Sequence, residues 1–198
     1  IEETADDPRI AGEAAAATAE VDRLTRRIDQ VLALAKSDAS SQSIEAVDVS
    51  DIVAERVAAA DPIAAERSIA LRAEIEPDVM ADAVPDAVSR AVDELLGNAL
   101  AYARSTVVVT VRRSAGQSIL RVDDDGPGVP ASELDRVFER FARGSEAIPG
   151  GSGLGLALVS EGAAASGGSA QAERSGLGGL AIEVRWRSHD GPRAALRG

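Results

Sequence analysis

The sequence predicts an α/β fold in which one mixed sheet is covered on one face by helices, preceded by a long bundle-forming helix. Three observations carry this. Apolar residues Ala14, Ala17, Val21, Leu24, Ile28, Val31 and Ala35 recur at alternating steps of three and four, the seam of a coiled coil or helical bundle. Downstream, strand-like runs alternate with helical ones and finish in two adjacent strands. Two glycine-rich turns interrupt that alternation, and one of them opens a helix. A chain of 198 residues holds one good core with an appendage.

Taken in order, "IEETADDP" reads as an acidic terminal loop. The heptad helix spans about 11–37, ~40 Å at 1.5 Å per residue. Its other face carries Glu20, Asp22, Arg23, Arg26, Arg27 and Asp29, so the apolar stripe must be buried on a partner helix. The polar run 37–43, "SDASSQS", marks a linker. A helix then starts with Asp48 or Ser50 as its cap and ends before Pro62. Strands follow at 68–75 and, shorter, at 78–82, then a helix from Pro85 to about Ala103. "TVVVTVRR" and "SILRVDD" form a strand pair around "SAGQ". A short helix at 132–141, a helix opened by "GGSGLGL" and running to about Ala165, and strands 169–174 and 180–187 complete the chain. The expected organisation is 1–40 for helix and linker, 41–190 for the α/β domain and 191–198 for a tail. The start at Ile1 is read as that of a fragment.

Composition narrows the function. Apolar residues make up 45% of the chain but aromatics only 2%, which leaves few platforms for stacking bases of a single strand. A net charge of −12 excludes a general nucleic-acid partner, although local donors can still hold a small anion. With no cysteine, neither a disulfide nor a thiolate metal site is possible. No apolar run reaches the ~20 residues of a membrane helix.

The chemistry concentrates in four stretches. In the helix 85–103, Val88, Val92, Leu95, Ala99 and Tyr102 form the core stripe, and Glu94 and Asn98 sit one turn apart on a neighbouring face. Such a pair alone is an ordinary polar face. In a site, the Asn98 amide oxygen could hold a hard cation and Glu94 could position or deprotonate a nucleophile. In "DDDGPGVP", residues 123–130, a carboxylate leaves a strand just where the backbone loses its side chains. A carboxylate only accepts hydrogen bonds, so it suits an exocyclic amino group and repels a carbonyl edge. In "GGSGLGL", residues 150–156, Gly151, Gly153 and Gly155 stand at a helix mouth, whose N–H groups and dipole bind anions without positive side chains. No Lys-Ser/Thr follows, so this is not a P-loop. Between the glycine motifs, Leu134, Val137, Phe138 and Phe141 have the spacing of a small docking helix, with Arg140 and Arg143 on its other side to reach a phosphate. The segment 129–152 has the composition of a lid.

Together and in order, "ELLGNALAY", "DDDGPGVP", "VFERFAR" and "GGSGLGLALV" resemble the N, G1, F and G2 boxes of the sensor histidine kinase ATP-binding domain over roughly residues 48–187. The 11–37 helix resembles the second helix of that family's dimerisation and histidine-phosphotransfer hairpin. The resemblance implies a Bergerat-type two-layer sandwich, with MgATP as cofactor. It implies phosphoryl transfer to a histidine and relay to an aspartate of a response-regulator receiver domain. It also implies a homodimer through the hairpin, and a cytoplasmic domain in a parent anchored in the bacterial inner membrane. By the motif match, Asn98 ligates Mg²⁺, Glu94 is the N-box acid, and Asp124 reads the adenine amino group. Gly126 and Gly128 shape the base pocket with Tyr102, while Gly151, Ser152, Gly153, Leu154 and Gly155 flank the phosphates, aided by Arg140 and Arg143.

Three departures follow. No His-box is present; the one histidine, His189, precedes Asp190-Gly191-Pro192, which breaks any helix, so this chain alone is expected not to phosphorylate itself. Ala101 stands where many relatives carry a basic residue, and the lid is short. Two other readings remain open: another ATPase of the same fold, such as an anti-sigma serine kinase or a chaperone or mismatch-repair type, and a nucleotide-binding docking module without kinase activity.

Overall fold

A computed structural model describes residues 43–142 and 153–191, all within one compact unit of the chain. The heptad helix, Arg143, Gly151, Ser152 and the end of the tail lie outside the described residues.

The chain enters through strand β1 (Glu45–Asp48), helix α1 (Val49–Glu66), β2 (Ala70–Ile75), β3 (Met80–Ala83) and α2 (Pro85–Tyr102). It continues with the hairpin β4 (Thr106–Ser114) and β5 (Gln117–Asp124), a 3-10 turn at Ala131–Arg136, α3 (Gly155–Ala165), β6 (Ser169–Arg174) and β7 (Leu180–Ser188). Asp48 caps α1 by accepting from the Asp51 N–H at 3.0 Å. Pro85 opens α2, where its missing N–H costs nothing. The β4–β5 hairpin closes through Ala115 and Gly116, both at positive φ, the geometry that matches strand twist in a two-residue loop.

Strands lie in the order β1-β3-β7-β5-β4-β2, all antiparallel except the β2–β4 pair. β7 divides one edge between two partners, β6 along Leu180–Arg185 and β3 at Arg187–Ser188. Alternation sets the two faces. Val107, Val109 and Val111 of β4, Leu120 and Val122 of β5, and Ile182, Val184 and Trp186 of β7 join one core with Val49, Val53, Val88, Val92, Leu95 and Val159 of the helices. The opposite face carries an ion-pair network: Arg121 holds Asp123, Glu173 and Glu183, and Glu183 also takes Arg112 and Arg185. Among the described residues the α-helices therefore cover one face, as the sequence pattern predicts.

Four local expectations need correction. Pro62 lies inside α1, not beyond it, and the extra turn carries Ala64 into the core. β1 occupies residues assigned to no element in the sequence reading, and it forms because β3 offers it a free edge. The 132–141 helix is only a 3-10 turn ending at Arg136. Its apolar stripe breaks at Phe141, which is 43% exposed at φ +65°, while Leu134, Val137 and Phe138 pack on the core.

Candidate functional site

The three consecutive carboxylates of 123–125 go three different ways. Asp123 and Asp124 alternate across the sheet as strand residues must. Asp123 lies on the outer face, held by Arg121 through Nε at 2.7 Å and Nη2 at 3.0 Å. Asp125, past the strand, accepts from the N–H groups of Arg104 and Ser105 at 2.8 and 3.0 Å and from the Ser105 hydroxyl at 2.6 Å. Although desolvation pushes this carboxyl up, those hydrogen bonds, led by the Ser105 hydroxyl, hold it well below the usual carboxylate range.

Asp124 points inward and is only 4% exposed. Its Oδ1 accepts the N–H of Gly126 at 2.8 Å and of Leu180 at 3.3 Å. Among the described residues Oδ2 accepts no hydrogen bond, so a buried carboxylate keeps one oxygen for something else. Burial pushes the carboxyl above its ordinary 3.8, against the pull of the two N–H donors. A buried carboxylate with one oxygen left open beside a turn bare of side chains is a candidate binding group.

Helix α2 joins the two glycine motifs. Glu94, Asn98 and Tyr102 follow one another at four-residue steps along one face, each ~6 Å further along the axis. At one end the Glu94 carboxylate fills the space that a side chain at Gly155 would need. At the other, a Cβ on Gly126 would fall 2.5 Å from the Tyr102 carbonyl oxygen and 2.8 Å from Asp124 Oδ1. Asn98 sits between them, one turn from each. Among the described residues no side chain caps the mouth of α3, whose positive dipole end suits an anion. Gly128 and Gly153 both adopt positive φ, and Gly153 accepts the Phe141 N–H at 2.9 Å.

Arg140 is engaged otherwise than the sequence reading expects: its Nε and Nη2 bond the two Glu161 oxygens of α3 at 2.8 and 3.0 Å, leaving Nη1 for any phosphate. His189 is no phosphoacceptor on a helix: its N–H bonds the Met80 carbonyl, extending the β3–β7 pairing, and its ring meets Asp82 at 2.7 Å. Sequence reasoning missed three residues of the β6–β7 turn: Leu180, whose N–H reaches Asp124 Oδ1, Gly179, whose N–H bonds the Asp124 carbonyl, and Ser175, whose hydroxyl holds the neighbouring Asp123. Their one signal was the glycine run in "SGLGGL".

A buried acceptor beside side-chain-free turns, joined along α2 to the mouth of α3, fits an α/β nucleotide-binding domain of the ATPase type. Residues 83–190 match the family described as histidine kinase-, DNA gyrase B-, and HSP90-like ATPase. The chain belongs to this family, as a catalytic fragment of the sensor histidine kinase kind. It is 46% identical over 95 residues to the sensor-type histidine kinase PrrB of Mycobacterium tuberculosis, covering 47% of this chain and 21% of PrrB. It is 32% identical to the signal transduction histidine-protein kinase AfsQ2 of Streptomyces coelicolor over 190 residues, 95% of this chain and 35% of AfsQ2. The chain thus spans only about a fifth to a third of these relatives. Among solved structures, the ATP-binding domain of PrrB from Mycobacterium tuberculosis superposes with a TM-score of 0.60 at 28% identity, over 74% of this chain and 98% of that one. Full-length ShkA in complex with AMPPNP gives 0.68 at 25% identity, over 96% and 41% respectively.

Proposed function

We propose that this chain donates the γ-phosphate of MgATP to a histidine on a helical hairpin, for relay to an aspartate of a response-regulator receiver domain. The observation that carries the nucleotide half is Asp124, a buried carboxylate with Oδ1 saturated by backbone donors and Oδ2 open. The kinase half rests on the relatives and on the order of the motifs.

The residues present fit the nucleotide. Asp124 Oδ2 accepts the adenine amino group, and Gly126 lets the base approach the backbone beside Tyr102. The mouth of α3, from Gly153 through Leu154 to Gly155, takes the phosphates, with Gly151, Ser152 and Arg143 as further contacts. Among the described residues no three His, Cys, Asp or Glu side chains gather, so Asn98 and the phosphates themselves are the ligands assigned to Mg²⁺. ATP supplies the phosphoryl group and Mg²⁺ neutralises its charge; the protein positions. Glu94, held against Gly155, orients that end of the site.

No helix among the described residues is long and apolar enough to cross a membrane. A membrane-anchored parent, dimerisation through the hairpin and a receiver-domain partner belong to this reading of the whole protein. Lacking a His-box, the chain alone does not phosphorylate itself. The test extends it upstream through a complete hairpin and supplies γ-labelled or α-labelled ATP. Acid-labile, alkali-stable label from the γ position alone is the expected result. MgATP binding with no label would move the assignment to another ATPase of this fold.

A further inference from the structure

The β6–β7 turn is tied to both faces of the acid triplet. Its own frame is closed by Ser175 N–H to Gly179 C=O and Gly178 N–H to Ser175 C=O, both 3.0 Å, and by Leu177 N–H to the Ser175 hydroxyl oxygen, 3.0 Å. On the outer face the buried Ser175 hydroxyl donates to Asp123 Oδ1 at 3.0 Å, and Arg121 clamps the same carboxylate. On the inner face Gly179 N–H bonds the Asp124 carbonyl at 3.2 Å and Leu180 N–H reaches Asp124 Oδ1. Gly179 touches this turn so closely that a Cβ there would meet Oδ1 and lie 2.5 Å from both the Asp124 carbonyl and the Gly126 nitrogen.

We propose that the turn Ser175–Leu180 sets which oxygen of Asp124 faces the nucleotide, making Ser175 and Gly179 positioning residues for adenine selection. The proposal rests on the nucleotide reading above. A carboxylate can rotate about χ2; two backbone donors on one oxygen stop it, and one of them, Leu180 N–H, belongs to this turn. The Ser175–Asp123–Arg121 link then fixes the turn against the strand that carries Asp124. The outer-face ion pairs of Arg121 and Glu183 thereby support selection of a base on the opposite face of the sheet.

The test titrates the 198-residue chain with MgATP and with the magnesium complex of purine riboside triphosphate, which lacks the 6-amino group. The wild-type chain should prefer ATP by about tenfold or more, the worth of a hydrogen bond to a charged acceptor. Ser175→Ala should cut that preference by roughly threefold or more through weaker ATP binding, with the analogue's affinity unchanged. Ser175→Thr, which keeps the hydroxyl, should restore it, and Gly179→Ala should abolish it. A merely structural role would weaken both nucleotides in proportion, and that result overturns the proposal. So does retention of the preference in Ser175→Ala and Gly179→Ala when Asp124→Asn has lost it. Preference retained in Asp124→Asn itself would instead remove the adenine-reading role of Asp124, and this proposal with it.

Discussion

Replacing Asp124 with asparagine separates binding from stability. The variant keeps Oδ1 and its bonds from Gly126 and Leu180 N–H, at 2.8 and 3.3 Å, but turns the open acceptor Oδ2 into an NH₂ donor. Facing an amino group, that exchange removes a hydrogen bond to a charged acceptor, worth about 1.5–3 kcal/mol, and sets donor against donor. The dissociation constant for MgATP should rise by at least ~10-fold and up to ~150-fold, beyond detection in an ordinary calorimetric titration.

The nucleotide-free protein should move the other way. Burial holds the Asp124 pKa above its ordinary 3.8, so the folded state keeps that proton to higher pH than the unfolded chain does. Its contribution to stability is full below 3.8 and is lost as pH rises through the folded value. Asparagine has no ionisable proton and escapes that loss. The variant should melt higher than the wild type at neutral pH, with the gap shrinking as pH falls towards 4. Unchanged MgATP affinity, or a variant less stable at pH 7 than at pH 4 relative to wild type, would refute this account of the site.

Asn98→Ala should remove the dependence of nucleotide binding on Mg²⁺, measured by titration with and without EDTA; a persisting magnesium effect would assign the cation elsewhere. Gly155→Ala drives a methyl into the Glu94 carboxylate and should weaken MgATP binding several-fold, with the double variant Glu94→Ala, Gly155→Ala recovering part of the loss; equal affinity in the single variant would show that α2 and α3 separate freely. Asp125→Ala releases Arg104 and Ser105 and should cost about 1 kcal/mol at pH 7. Because that carboxyl is held below its ordinary 3.8, its contribution is present above that value and lost as pH falls beneath it, so the gap between variant and wild-type melts should close on acidification. Glu161→Ala frees the Arg140 guanidinium and should strengthen MgATP binding, whereas Arg140→Ala weakens it; weakening in both would mean that the pair acts only by tethering its segment to α3.

Particular elements show what the sequence made legible. The α2 stripe of Val88, Val92, Leu95 and Ala99 was readable because helical periodicity is a local property, and all four are buried. β4, β5, β6 and β7 were readable from alternation and from turn residues between them. β1 was not, since a four-residue strand has too little pattern and exists because β3 gives it a partner. Nor was the loss of the 132–141 helix, because the same apolar spacing serves a 3-10 turn docking by three side chains. Arg140 was legible as a cation beside the lid, but its engagement with Glu161, twenty-one residues away, depends on how α3 packs.

By itself the sequence determined the two-layer class and the order of the motifs. It also placed Glu94 and Asn98 on one helix face beside the core stripe, and an acid before a side-chain-free turn. These follow from spacing along the chain, which local geometry fixes. Only the tertiary structure decided that Leu180 N–H joins Gly126 on Asp124 Oδ1 while Oδ2 is open, and that the β6–β7 turn stands behind it. Those outcomes depend on contacts between residues more than fifty positions apart, which packing, not periodicity, brings within hydrogen-bonding distance.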